Sequence, residues 1–281
     1  MKLSVYGSTG FIGKRFIELF NQKNENKCQY VIRDKDACDY EDVLYLISTT
    51  DNYNIFEKPF LDVDTNLNKL IKVLEAYRNS GKRGVFNFVS SWFVYGMNSS
   101  LNTKETDYCD PRGFYSITKR AAEQMLVCYC DTFDIKYRIL RLTNIIGEQD
   151  YGVSSKKNAI QYMIGLLKDN KQVNLYDGGN SIRDFMYIDD ACRALEVCIE
   201  NAPINSTINI SNMQPIEIQK IIYYCKEKLS SSSNVLSIDT PKFHKIVQVK
   251  DVCLNNDKLI SYGYKPSIDT MQGIDKILHS L

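Results

Sequence analysis

Tyr115 and Lys119 are separated by three residues in the run Tyr115-Ser-Ile-Thr-Lys119, a spacing that places both on one face of a helix, one turn apart. An ammonium beside a phenol favours the phenolate and lowers a pKa that starts near ~10. A tyrosine adjusted in this way can take or give the proton of a substrate hydroxyl while hydride passes to or from a nicotinamide. Upstream, Val89-Ser90-Ser91 ends an apolar run, and the Ser91 hydroxyl can hold the same oxygen. Taken alone, a Tyr-x-x-x-Lys spacing is equally an exposed helix-surface pair.

The second constellation is Gly7-Ser-Thr-Gly-Phe-Ile-Gly13, directly after the apolar run Leu3-Ser-Val-Tyr6. Glycines at 7, 10 and 13 permit a tight turn and a close backbone approach, and the next helix presents unpaired N–H groups to a pyrophosphate. The turn assigns Gly7, Thr9, Gly10, Phe11, Ile12 and Gly13 to a dinucleotide site. At the end of the second apolar run stand Arg33 and Asp34. An acid there bonds the adenine ribose and favours NAD, whereas an arginine accommodates the extra phosphate of NADP. The sequence offers both; Asp34 tilts the expectation to NAD, with NADP the alternative. Ser48, at the end of Val43-Leu-Tyr-Leu-Ile-Ser48, joins the expected cofactor-binding set together with Tyr115 and Lys119.

These residues need elements to hold them. Leu3–Tyr6, Tyr30–Ile32 and Val43–Ser48 are apolar without alternation, as expected of strands buried on both faces of a parallel sheet, and Gly84–Ser90 and Lys136–Leu142 read as further strands. Helical spacing recurs after the glycine turn, from about Asn66 to Asn79 (with Asp64 or Thr65 as cap), and from Tyr115 to Phe133. Alternation of strand and helix predicts an α/β fold, a Rossmann-type doubly wound parallel sheet with a smaller C-terminal substrate-binding domain. The expected division is 1–145 for dinucleotide binding, with segments near 182–210 returning to it, and 146–281 mainly for substrate. Helices are expected near Asn158–Lys168, Asp189–Glu200 and Glu217–Leu229, short strands at Val173–Tyr176 and Ile208–Ile210, and an exposed loop at Ser230-Ser-Ser-Ser233.

Composition removes other classes. Lys and Arg number 35 against 34 Asp and Glu, a formal charge of +1, which leaves no electrostatic footprint for nucleic acid or an anionic membrane. No apolar stretch is long enough to span a bilayer. The nine cysteines form no Cys-x-x-Cys pair and there are two histidines, so no metal site is expected. Free thiols in apolar runs suit a reduced, cytoplasmic protein.

Five motifs in order now carry a resemblance: Gly7–Gly13, Ser90-Ser-Trp-Phe-Val-Tyr-Gly96, Tyr115–Lys119, Arg141-Leu-Thr-Asn-Ile-Ile-Gly147 and Arg183-Asp-Phe-Met-Tyr-Ile-Asp-Asp190. The chain resembles the extended short-chain dehydrogenase/reductase family, and within it the nucleotide-sugar epimerases, dehydratases and ketoreductases. The resemblance implies Ser91 as holder of the substrate oxygen, Tyr115 as acid/base, and Lys119 as its activator and a ligand of the nicotinamide ribose. It implies Asn144 and Arg183 as the grip on a nucleotide-diphosphate sugar; their structural alternatives are a turn-fixing Asn and an Arg paired with Asp184. It also implies a homodimer built through helices such as Asn66–Asn79 and Tyr115–Phe133. The family's dehydratases carry acids after the catalytic serine, where this chain has Trp92 and Phe93, and its double epimerases use a Cys there and a distant His, whereas His244 and His279 lie far down this chain. Hydride transfer at one carbon, C4, remains: a sugar 4-epimerase, with a nucleotide 4-keto-6-deoxy-sugar reductase as the alternative and a non-catalytic dinucleotide-binding module as a third reading.

Overall fold

The unalternating apolar runs lie together as one parallel sheet in the computed structural model, which describes residues 1–23, 27–31, 35–150 and 152–281. In chain order the strands are β1 (Lys2–Tyr6), β2 (Lys27–Val31), β3 (Asp42–Tyr45), β4 (Val85–Ser91), β5 (Lys136–Leu142), β6 (Asn144–Ile146), β7 (Val173–Tyr176), β8 (Ile182–Tyr187), β9 (Ser206–Ile210), β10 (Pro215–Glu217) and β11 (Val235–Ile238). The longer helices are α1 (Phe11–Asn21), α2 (Lys69–Asn79), α3 (Phe114–Thr132), α4 (Ala159–Lys168), α5 (Ile188–Asn201), α6 (Ile218–Lys228) and α7 (Thr270–His279). The main sheet has six strands in the order β2-β1-β3-β4-β5-β9, all parallel. Helices α1 and α5 cover one face, where Val5, Phe16, Phe20, Leu140, Leu195 and Ile208 pack. Helices α2 and α3 cover the other with Tyr45, Leu70, Tyr77, Phe86, Phe88 and Leu126. This is the doubly wound α/β architecture that places ligands at the carboxyl ends of the strands.

The rest of the chain builds a second apolar cluster of Ile160, Ile164, Val173, Leu175, Ile221 and Ile277. It lies around two small sheets, β10-β8-β6 and β11-β7. Strand β8 thus belongs to this part, whereas β9 completes the main sheet beside β5.

Two local expectations need correction. Asp64 and Thr65 cap nothing: Asp64–Asn68 runs as a π-helical turn leading into α2 without a side-chain cap. Asn66 in that turn is buried and faces inward, accepting from the Thr49 backbone N–H at 3.1 Å and donating to Thr118 Oγ1 at 2.9 Å; such widened turns recur at functional sites. The serine run is not wholly exposed, since Ser231 and Ser233 are buried and Ser231 Oγ donates to the Leu167 carbonyl at 2.5 Å. Helix α7 begins at a capping box formed by Asp269 and Gln272. All nine cysteines are free, no helix among the described residues is long and apolar enough to cross a membrane, and none of the described residues forms a metal-ligand cluster.

Candidate active site

At the carboxyl ends of the parallel strands lies a cavity of about 800 Å³. Its floor begins with the glycine turn. Gly7 has φ +77°, a conformation L side chains rarely adopt, and the Gly10 N–H donates to its carbonyl at 3.0 Å. A Cβ on Gly13 would stand 2.3 Å from the Gly7 oxygen. Gly10 is the N-cap of α1 and has no side chain to satisfy the first turn, which also carries no acidic residue. The N–H groups of Phe11, Ile12 and Gly13 are therefore left for an outside acceptor, and these residues line the cavity with Gly7 and Gly10. A dinucleotide pyrophosphate fits that donor set. Thr9 is exposed and does not line the cavity; Arg33 and Asp34 lie outside the described residues.

Ser91, Tyr115 and Lys119 converge on the same cavity. Ser91 is the last residue of β4, and its Oγ accepts the Phe93 N–H at 3.3 Å, which leaves the hydroxyl proton free to be donated. Tyr115 sits in the first turn of α3, 7% exposed, with the Phe93 ring edge-on at 5.7 Å. Burial pushes its phenol above the ordinary value, while the Ser91 and Ser48 hydroxyls pull it back and Asp62 and Asp51 push it further up. The expected lowering by Lys119 is not present. The Lys119 ammonium is directed to the Val89 carbonyl at 2.7 Å and lies over the Phe88 ring at 4.2 Å. Burial brings its pKa down to about 7, with Glu123 pulling it up. Turned to β4 in this way, it adds no lowering to the phenol.

That burial carries a prediction. Lys119 falls from its usual 10.5 to about 7, so the fold disfavours the protonated amine. The penalty is full below pH 7 and fades as the pH rises towards the unfolded value. Lys119→Met should therefore raise the thermal midpoint at pH 6–7, with a gain that shrinks by pH 10, while turnover is lost. A gain that grew with pH would refute this placement of the amine.

The surroundings hold the trio in place. One turn beyond Lys119, the buried Glu123 accepts from Arg141 Nε at 2.9 Å and Nη2 at 2.8 Å, tying α3 to β5. Asn52 Oδ1 accepts the Ser116 N–H at 3.3 Å, and a Cβ on Gly113 would stand 1.9 Å from that oxygen. Ser48 Oγ donates to Asn66 Oδ1 at 3.0 Å at the cavity's edge.

Asn144 and Arg183 also line the cavity. Asn144 Nδ2 donates to the Asp184 carbonyl at 2.9 Å, and its Oδ1 accepts the Trp92 indole N–H at 3.2 Å. Arg183 makes no pair with Asp184. Its Nη1 donates to the carbonyls of Ile182 at 2.9 Å and of Lys250, and its Nη2 to that of Val249 at 2.6 Å. Asp184 is instead engaged by Ser211 Oγ at 2.5 Å and the Gln214 N–H at 3.1 Å. Burial brings the Arg183 pKa down to about 10.

Distance along the chain misled in one case. His244, on the short helix Lys242–Val247, lines this cavity, meets Tyr53 Oη at 3.1 Å through Nδ1 and packs on Tyr176 at 4.8 Å. Its remoteness in sequence therefore does not remove it from the site. Burial and the Arg183 charge bring its pKa down to about 4, so it is neutral at pH 7. Nothing local in the sequence marks His244, Tyr53 or Asn52, because their partners lie in distant segments.

A family model, the NAD-dependent epimerase/dehydratase family, matches residues 40–211. The chain is 25% identical to a Methanocaldococcus jannaschii protein named "Putative UDP-glucose 4-epimerase", over 98% of this chain and 96% of that one. It is 26% identical to a dTDP-D-glucose 4,6-dehydratase of Dictyostelium discoideum, over 74% of this chain and 58% of that one. Among solved structures, it shares the fold of a Bacillus cereus UDP-glucuronic acid 4-epimerase in complex with UDP-glucuronic acid and NAD, at TM-score 0.87 and 21% identity over 100% of both chains. It shares that of a Thermotoga maritima UDP-glucose 4-epimerase with UDP-glucose at TM-score 0.86 and 20% identity, over 99% of this chain and 98% of that one.

Proposed function

This chain belongs to the NAD-dependent epimerase/dehydratase family, and from that premise we propose that it inverts the C4 hydroxyl of a nucleotide-activated sugar. The observation that carries the reading is the convergence of Ser91, Tyr115 and Lys119 on the cavity floored by the glycine turn. The solved relatives whose names include NAD and UDP-sugars support the cofactor and the substrate class.

The turn from Gly7 to Gly13, with the N–H groups of Phe11, Ile12 and Gly13, would hold the cofactor diphosphate. Ser48 and Lys119 would lie against the rest of it, and Arg33 and Asp34 would address the adenine ribose. When bound, NAD supplies the acceptor and donor of the C4 hydride. With NAD bound, the Tyr115 phenolate would be favoured by the positive charge of the oxidised ring, and its Oη would take the proton of the C4 hydroxyl and return it to the same oxygen. Ser91 Oγ donates a hydrogen bond to that oxygen in the alcohol and the ketone alike, and so fixes its position. Asn144 and Arg183 hold the sugar diphosphate, Arg183 by exchanging carbonyl partners for phosphate oxygens.

Arg183→Ala should raise KM more than it lowers kcat, because a grip on a non-reacting phosphate is lost in ground and transition states alike. A KM that stays unchanged in a protein of unaltered melting point would remove Arg183 from the substrate site.

Elimination of water needs a further acid and base near the sugar. Trp92 and Phe93 supply neither. Glu105 is engaged by the Asn209 N–H at 3.0 Å and Asp107 by the Lys104 N–H at 2.9 Å, and neither lines the cavity. Asp51, Asp150 and His244 do line it, but Asp51 accepts the Tyr53 N–H at 2.7 Å, Asp150 pairs with Lys157 at 3.1 Å, and His244 Nδ1 is engaged by Tyr53 Oη at 3.1 Å. The deciding experiment incubates the protein and NAD with a panel of nucleotide hexoses and follows the products by NMR. The C4 epimer is expected. A 4-keto-6-deoxy product, or no exchange at C4 with any member, would defeat the reading.

The same proposal extends to assembly and place. The outward faces of α2 and α3 are the expected homodimer contact; Ile117, Met125 and Phe133 are exposed there. Nine free thiols suit the reducing cytoplasm.

A further inference from the structure

Beside the Tyr115 phenol the cavity wall carries the aromatic side chains of Trp92 and Phe93. Trp92 and Phe93 come directly after Ser91, and their rings stack at 3.9 Å with the Phe93 ring edge-on to Tyr115 at 5.7 Å. Two donors of this pair are already engaged. The Trp92 indole N–H donates to Asn144 Oδ1 at 3.2 Å, and the Phe93 N–H donates to Ser91 Oγ at 3.3 Å. The Arg183 guanidinium lies over the Trp92 ring at 5.7 Å with its Nη groups on backbone carbonyls.

A pyranose whose C4 oxygen meets Tyr115 Oη and Ser91 Oγ presents the substituents of its neighbouring carbons to this wall. C3 carries a hydroxyl in ordinary hexoses. C5 carries a group that ranges among nucleotide hexoses from hydroxymethyl to carboxylate to methyl. A hydroxyl or carboxylate packed there gives up water and gains no partner, whereas a methyl gains by burial. We infer that Trp92 and Phe93 select a 6-deoxy sugar, a nucleotide hexose whose C5 substituent is methyl. The inference rests on the C4 reading above and names the substrate class for that site.

The test uses three sugars that differ only at C6, namely glucose, 6-deoxyglucose and glucuronic acid, each prepared on UDP and on dTDP. With the full chain and NAD, kcat/KM for 6-deoxyglucose should exceed that for glucose by about 10- to 100-fold, the range that one small apolar or hydroxyl group commands in a hydrophobic pocket. Glucuronate should rank lowest. Phe93→Tyr keeps the ring and adds a hydroxyl, and should narrow the gap; Phe93→Ser should close it, with circular dichroism confirming the fold of each. Dissociation constants of the same six compounds for NAD-loaded Tyr115→Phe protein read the wall independently of turnover. If no sugar reacts but the 6-deoxy compounds still bind tightest, the C4 reading fails and the wall inference stands. Equal constants, tighter binding of the oxygenated sugars, or no binding of any member overturns it.

Discussion

Tyr115→Phe is expected to lower turnover by about 10²- to 10⁴-fold, the usual share of a positioned proton carrier, while dinucleotide affinity stays within a few-fold. The substitution removes one oxygen and keeps the ring. The edge-on contact with Phe93 at 5.7 Å persists, and a phenol that burial already holds in its neutral form leaves no buried charge behind. The melting point should therefore move little, and the loss should appear in kcat. Steady-state kinetics beside calorimetric titration of NAD separates the two quantities. A fall in activity of less than tenfold would mean that Tyr115 does not carry the proton.

Gly13→Val should abolish dinucleotide binding outright. The Cβ alone would stand 2.3 Å from the Gly7 oxygen and 3.0 Å from Ser8 Cα. Both are backbone atoms of the turn, so no side-chain rotation relieves the clash and α1 must move away from β1. The N–H groups of Phe11–Gly13 then leave the position where a pyrophosphate would meet them. Gly10→Ala should be milder, because its Cβ meets only the Gly7 oxygen at 3.3 Å. Titration of NAD against each variant, with circular dichroism to verify the fold, reads the order directly. Binding by Gly13→Val at the parent's affinity would place the dinucleotide elsewhere.

Features written in short-range pattern were legible in the sequence. Leu3–Tyr6 and Val43–Tyr45 read as strands without alternation because both faces of their strands are covered, and the six-stranded sheet contains both. Tyr115 and Lys119 share a helix face because a turn separates them, and α3 carries both into the cavity. The features that escaped the sequence depend on partners far along the chain. The π-helical turn at Asp64–Asn68 surrounds an Asn66 that bonds Thr49 and Thr118. Ser231 is buried because its hydroxyl reaches the Leu167 carbonyl. His244 enters the site through Tyr53 and Tyr176. The phenol's upward shift likewise comes from burial and from the Asp62 and Asp51 charges, none of which a four-residue spacing contains.

Strand β5 has β4 on one side and β9 on the other, with Leu142 aligned to Ser91 and to Ile210. A ribosome that has just completed β5 has not yet made its second neighbour. At typical elongation rates the strand waits on the order of several seconds with one hydrogen-bonding edge open. Its inner residues Ile139, Leu140 and Leu142 are buried in the finished protein, so the waiting edge is an apolar template for pairing with other nascent chains. A gene cut after codon 145 would make that exposure permanent. Strand β9, made more than sixty residues after β5, is the element that closes this edge of the main sheet.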